Sequence, residues 1–140
     1  MYLLRWDGGS APTNPGPTAG SFVIYNQDDI LAEGGIFLPL ATNNQGEYLG
    51  LLEGIKLALR LGITHLTAEG DSMLAVKQVL GEWKVNNQAL KVIYDQIILL
   101  IKQFDSFDIR WIKRASNTHA DSLSDYTIQQ KETWEKVYVR

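Results

Sequence analysis

The stretch Ile63-Thr64-His65-Leu66-Thr67-Ala68-Glu69-Gly70-Asp71-Ser72 decides the fold, because an apolar run there delivers a carboxylate to the point where a helix begins. In an open α/β sheet, ligands bind outside the carboxyl ends of the parallel strands, so Asp71 stands where a substrate would. Three other stretches send acids to the same kind of junction. They are Leu4-Arg5-Trp6-Asp7-Gly8-Gly9-Ser10, Thr42-Asn43-Asn44-Gln45-Gly46-Glu47 and Ser116-Asn117-Thr118-His119-Ala120-Asp121.

Working outward, the apolar run Tyr2 to Trp6 reads as a buried strand, followed by a loop rich in Gly and Pro from Gly8 to Pro17. Ala19 to Tyr25 and Ile30 to Phe37 read as two further strands joined by the turn at Asn26 to Asp29, and such short connections make an antiparallel meander. Pro39 is expected to close the third strand, and Asn43 or Asn44 to cap a helix in which Leu49, Leu52, Ile55 and Leu59 recur at helical spacing. Gly62 ends that helix. Ile63 to Ala68 is the fourth strand, followed by a helix from Ser72 to Leu80, an amphipathic helix from Gln88 to Gln103 and a fifth strand, Asp108 to Ile112. Thr118 to Gln129 reads as the last helix, and the tail 131–140 as either a helical extension or a short strand. The expectation is an α/β fold: a five-stranded mixed sheet with helices on both faces, in a single domain, 1–140.

With 45% hydrophobic and 21% charged residues the chain has the composition of an ordinary globular protein, and with no cysteine it has neither disulfides nor thiolate metal sites. No apolar run is long enough to cross a bilayer, and Met1 to Arg5 has no signal-peptide pattern, so a cytoplasmic monomer without membrane contact is expected. The formal net charge of -3 speaks against strong nonspecific binding of nucleic acid, but not against a polyanion bridged through metal ions.

An acid at a helix start can simply cap it and complement its dipole. Four such acids, Asp7, Glu47, Asp71 and Asp121, each following a run that fixes the backbone, point instead to one shared site. Carboxylate oxygens without Cys suit Mg²⁺, with Mn²⁺ as substitute, and two such ions roughly 3.5–4 Å apart hydrolyse phosphodiesters by activating water and stabilising charge on the phosphate.

These residues carry a family resemblance. Trp6-Asp7-Gly8-Gly9-Ser10 with Asn14-Pro15-Gly16-Pro17 closely resembles the opening motif of type 1 ribonuclease H, Thr42 to Tyr48 its second motif, Gly70-Asp71-Ser72 its third, and Asn117 with Ala120-Asp121 its fourth. The resemblance runs from Leu3 to about Ile128. It implies a ribonuclease H-like fold with strand order 3-2-1-4-5, and cleavage of the RNA strand of RNA/DNA hybrids to 5′-phosphate and 3′-hydroxyl ends. It implies that Asp7, Glu47, Asp71 and Asp121 are metal ligands for two ions. The implied nucleic-acid contacts are Gly8, Gly9, Asn14, Asn43, Asn44, Gln45, Ser72 and Asn117. A related nuclease acting on double-stranded RNA, or a noncatalytic hybrid-binding module, shares the same fold.

Two features depart from the family. The basic protrusion is missing, with Trp83-Lys84-Val85-Asn86-Asn87 in its place, and no His precedes the last Asp in the loop Ile112 to Asn117. Arg114 is the nearest candidate for that catalytic place, since it can hold a phosphate bidentately although it cannot act as a base. His119 is expected to be a surface or supporting residue, and Trp6, Trp83 and Trp111 to be packing residues.

Overall fold

The computed structural model describes residues 1–138. The elements in chain order are β1 (Tyr2–Ser10), β2 (Gly16–Asn26), β3 (Asp29–Ala41), α1 (Asn43–Arg60), β4 (His65–Gly70), α2 (Met73–Val79), α3 (Gln88–Ile101), β5 (Ser106–Trp111), α4 (Thr118–Gln130) and β6 (Trp134–Val137), with one 3₁₀ turn at Arg114–Ser116. They form one mixed sheet in the order β5-β4-β1-β2-β3-β6, so the sheet has six strands rather than the expected five. The sixth comes from the tail, which is a strand and not a helical extension, pairing antiparallel with β3 from Gly35↔Trp134 to Ala32↔Val137. Residues 139–140 of the tail lie outside the described residues. Strands β1, β4 and β5 are parallel, and β1, β2 and β3 form the antiparallel meander. Among the described residues no helix is long and apolar enough to cross a membrane.

Alternation along the strands sorts the two faces. Leu4 and Trp6 on β1 and Phe22 and Ile24 on β2 point into the main core with Leu51, Ile55, Ala75, Ile93 and Ile97, so α1, α2 and α3 cover one face. Ser21 and Val23 point the other way: the Ser21 hydroxyl donates to the Ala120 carbonyl of α4 at 2.6 Å, and Val23 packs with Ala120 and Leu123. Beyond α4, the sheet carries a charged row in which Glu69 on β4 accepts from Arg5 on β1 at 3.1 Å and from Arg110 on β5 at 2.8 Å.

Several local expectations are corrected. Pro39 lies inside β3, which runs on to Ala41. Thr42, not an Asn, caps α1: its hydroxyl accepts from the Gln45 N–H while the Gln45 side chain accepts from the Thr42 N–H, a reciprocal capping box. Trp6 is fully buried, but Trp111 is 46% exposed because β5 is an edge strand flanked by a helix of seven residues, and its indole N–H donates to the Asp71 carbonyl at 3.2 Å. Trp83 is equally exposed, since the segment after α2 runs over the surface.

Helix α1 lies on the central strands backbone to backbone. A Cβ at Gly50 would stand 2.6 Å from the Asp7 carbonyl oxygen and 2.7 Å from that of Ser21, and one at Gly46 would stand 2.6 Å from the Ala19 carbonyl oxygen. Backbone cannot yield there as a flexible side chain would. Gly50→Ala is therefore expected to destabilise the protein by roughly 1–3 kcal/mol, despite the better helix propensity of Ala. Urea unfolding checks this: a midpoint at or above that of the parent protein would contradict the close packing of α1.

Candidate active site

Each acid reaches the site on a different element. Asp7 is near the end of β1, Asp71 follows the last residue of β4, Glu47 is in the first turns of α1, and Asp121 is in the first turn of α4. They line one cleft of about 540 Å³, with Gly8, Gly9, Asn43, Asn44, Ser72 and Arg114 among its walls. Asp7, Glu47 and Asp71 form its tight centre, each offering a carboxylate oxygen within 4.8 Å of the others. Asp121 stands on the wall, its carboxylate 3.9 Å from the Arg114 guanidinium, and Arg114 is largely exposed.

Burial and crowding raise the carboxyls of this centre. Asp7, 6% exposed, is pushed up to about 7, first by burial and then by the charges of Asp71 and Asp121, with a hydrogen bond from Ser124 opposing. Glu47 is raised well above the usual carboxylate range by burial, then by Asp7 and Asp71. Asp71 is raised by burial and by Asp121, against the pull of Arg114. The Glu47 Oε1 atom is buried and has no hydrogen-bond partner among the described residues. A cluster of hard oxygen donors with one of them orphaned fits a divalent cation such as Mg²⁺ or Mn²⁺.

The remaining sequence candidates separate. Gly8, Gly9, Asn43, Asn44 and Ser72 reach the cleft. The Asn43 side-chain oxygen accepts from the Ser10 N–H at 2.7 Å, and that of Asn14 accepts from the Asn43 N–H at 3.0 Å, so this pair braces the loop after β1 against α1. Ser72 caps α2 by accepting from the Ala75 N–H at 3.1 Å. The Gln45 side-chain oxygen is taken up by the capping box. Asn117 is corrected: at 1% exposure it cannot touch a nucleic acid, and its amide turns inward to donate to the Trp6 carbonyl at 2.9 Å. Asn117 thereby ties the start of α4 to the residue before Asp7. His119 pairs with Glu33 at 2.8 Å, away from the acids.

What the sequence reading missed is the glycine series Gly46, Gly50 and Gly54, spaced four apart on α1, together with Gly8 opposite them. A Cβ at Gly8 would run into the backbone of Gly46 and Glu47, so only glycine lets Glu47 approach the strand that carries Asp7. The spacing itself was the available signal.

A family model described as reverse transcriptase-like matches residues 6–127. A protein of Halobacterium salinarum named ribonuclease HI is 36% identical over 118 residues, 84% of this chain and 59% of that protein. The crystal structure of RNase H1 from the same organism superposes with a TM-score of 0.87 at 35% identity, covering 92% of this chain and 98% of that one. The chain belongs to the ribonuclease H family. A bifunctional protein of Mycobacterium tuberculosis is 40% identical over 125 residues, 88% of this chain but 34% of that protein. The solved N-terminal RNase H domain of the mycobacterial protein has a TM-score of 0.89 at 36% identity, covering 93% of this chain and 94% of that one. This ribonuclease H-family chain thus spans about a third of that relative's length. An RNase H1 isolated from compost, solved in complex with an RNA/DNA hybrid, superposes with a TM-score of 0.86 at 26% identity, covering 93% of this chain and 98% of that one.

The raised carboxyls predict how metal-free stability depends on pH. Because Asp7 titrates near 7 in the folded state and near 3.8 when unfolded, the folded protein binds more protons in between, and stability falls as pH rises through that window. Asp7→Asn should remove much of this decline and be the more stable protein at pH 8, by roughly 1–4 kcal/mol. Urea titrations in chelator at pH 5 and pH 8 measure it, and equal pH slopes in the two proteins would refute the electrostatic reading.

Proposed function

We propose that this chain is a type 1 ribonuclease H of the short form, an endonuclease that hydrolyses the RNA strand of RNA/DNA hybrids with divalent metal ions, leaving 5′-phosphate and 3′-hydroxyl ends. Residues 1–140 act as its catalytic domain. The observation that carries this reading is the meeting of Asp7, Glu47 and Asp71 within 4.8 Å at the centre of the cleft. Membership of the family supports it, as does the hybrid held by the compost RNase H1.

Asp7, Glu47 and Asp71 would hold Mg²⁺ or Mn²⁺, with Asp121 completing the set for a second ion. Ions held by such acids supply an activated water and neutralise charge on the attacked phosphate. The chain's own residues do the rest. The proton that Asp7 holds below about 7 must leave as a cation is bound, so loading strengthens as pH rises through that value. Arg114 holds a permanent positive charge at the mouth of the cleft, where its planar guanidinium suits a phosphate oxygen. Gly8 and Gly9 present bare backbone to the cleft, which lets a 2′-hydroxyl approach, the group that separates RNA from DNA. The side chains of Asn43 and Asn44 line the adjoining rim, where they meet sugars or base edges in the minor groove.

A panel of labelled RNA/DNA, RNA/RNA and DNA/DNA duplexes with Mg²⁺ or Mn²⁺ tests the reading. The hybrid should be cut in its RNA strand and Asp71→Asn should cut nothing detectable, while preferred cleavage of RNA/RNA, or binding of the hybrid without cleavage, would replace the proposal. Arg114→Ala should lower turnover by about 10²-fold, as the loss of one preorganised charge commonly does, and His119→Ala by far less. The reverse ranking in steady-state kinetics would move the supporting role from Arg114 to His119.

A further inference from the structure

Helix α4 carries Asp121 to the cleft, yet its own apolar hold on the sheet is small. Its buried face is Ala120, Leu123, Ser124 and Thr127, two of which are hydroxyl side chains, and what Ala120 and Leu123 meet is buried Val23 and the partly buried Tyr25, Ile30 and, from the tail, Trp134. A helix seated on so little apolar area opens locally at low cost. Among the described residues, the one ion pair of Asp121, with Arg114, is long, and that arginine is 82% exposed.

The tail closes over this helix. Trp134 of β6 donates its indole N–H to the Thr127 hydroxyl at 2.9 Å and meets the Tyr126 ring edge-on, with centroids 5.6 Å apart. The Thr127 hydroxyl and this indole together occupy the space left at Gly35, where a Cβ would run into the hydroxyl oxygen and stand 2.9 Å from the indole nitrogen. At the other end of the strand, the Tyr138 N–H donates to the Leu31 carbonyl at 2.9 Å and its hydroxyl donates to the Glu33 carboxylate. The second oxygen of Glu33 bonds His119 at 2.8 Å, two residues before Asp121. The tail therefore grips α4 on both sides of Asp121, at Thr127 and through Glu33 at His119.

We propose that β6 is a strap that seats α4, and through it positions Asp121 for reaction, with Trp134, Tyr138 and Glu33 as positioning residues. This rests on the hydrolytic reading above. Positioning is where a small loosening matters, because misplacement of a reacting group by about an ångström costs as much as 10²-fold in rate. Among the described residues, the main core on the other face of the sheet under α1 contains none from the strap.

The test uses the full chain with Trp134→Phe and Tyr138→Phe, each of which removes one hydrogen bond and keeps the ring. Glu135→Gln serves as control, since Glu135 pairs with Arg60 of α1 at 2.7 Å and not with α4. Amide hydrogen exchange without metal should speed up about tenfold in α4 and stay unchanged in α1 for both strap variants. In saturating Mg²⁺ both should lose about three- to tenfold in kcat with KM within about twofold, and the control should lose neither. Unchanged α4 exchange, an equal rise in α1, or looser α4 with full kcat would each overturn the strap. If the parent protein cuts no hybrid, the hydrolytic reading fails by itself, and the exchange measurement still decides whether β6 seats α4.

Discussion

Everything at the cleft depends on backbone meeting backbone between α1 and the two central strands. A helix with ordinary side chains on its inner face rides about 10 Å above a sheet. Here Gly46 and Gly50 remove that spacing, and the added atoms of an alanine would stand 2.6 Å from carbonyl oxygens of Ala19 and Asp7. The drop in height brings Glu47 to the level of a strand residue. Tyr48, Leu51, Leu52 and Ile55, buried beside those glycines, hold the helix down by apolar burial of roughly 1.5–3 kcal/mol each. Packing along the inner face of α1 thus sets the electrostatic arrangement near its N-terminal end.

That arrangement is unfavourable by itself. Three carboxyls forced together with little solvent cannot all be ionised cheaply, and the rises at Asp7, Glu47 and Asp71 record this. The scaffold tolerates it because each acid is borne by a different element, so no single loop can relax to separate them. Hydrogen bonds at the periphery reinforce the frame: Asn117 to the Trp6 carbonyl, Trp111 to the Asp71 carbonyl, and Ser21 to the Ala120 carbonyl each clamp the backbone beside a site residue. A site built so is kept in shape before any cation arrives.

Much of this was legible in the sequence, and the reasons differ by residue. The strand runs ending at Asp7 and Asp71 were readable because apolar runs stop abruptly at an acid, and the turn at Asn26 to Asp29 separated β2 from β3. The tail was ambiguous because Trp134-Glu135-Lys136-Val137 is too short for periodicity to separate helix from strand, and what makes it β6 is the edge of β3, a tertiary partner. Asn117 was assigned outward because its spacing from Asp121 matched a motif, whereas only the fold shows that α4 starts over the Trp6 carbonyl and draws the amide inside. Trp111 was read as a packing residue on the fifth strand, but that strand is an edge with a helix of seven residues beside it. Asn43 and Asn14 read as ligand contacts while part of their polar capacity is spent on each other's loops.

The two rims of the sheet are also worth following outward. A sheet that ends in unpaired strands offers its backbone to any other chain that can add to it. On one rim, β5 alternates Asp108 and Arg110 in exposed positions, and Arg110 is bound to Glu69 so that the charged row continues inward. On the other rim, β6 is four residues long and sets Glu135 and Lys136 side by side. An incoming strand would have to strip water from these charges and match their alternating sign at both borders. Charge at the borders thus works against one sheet growing onto the next.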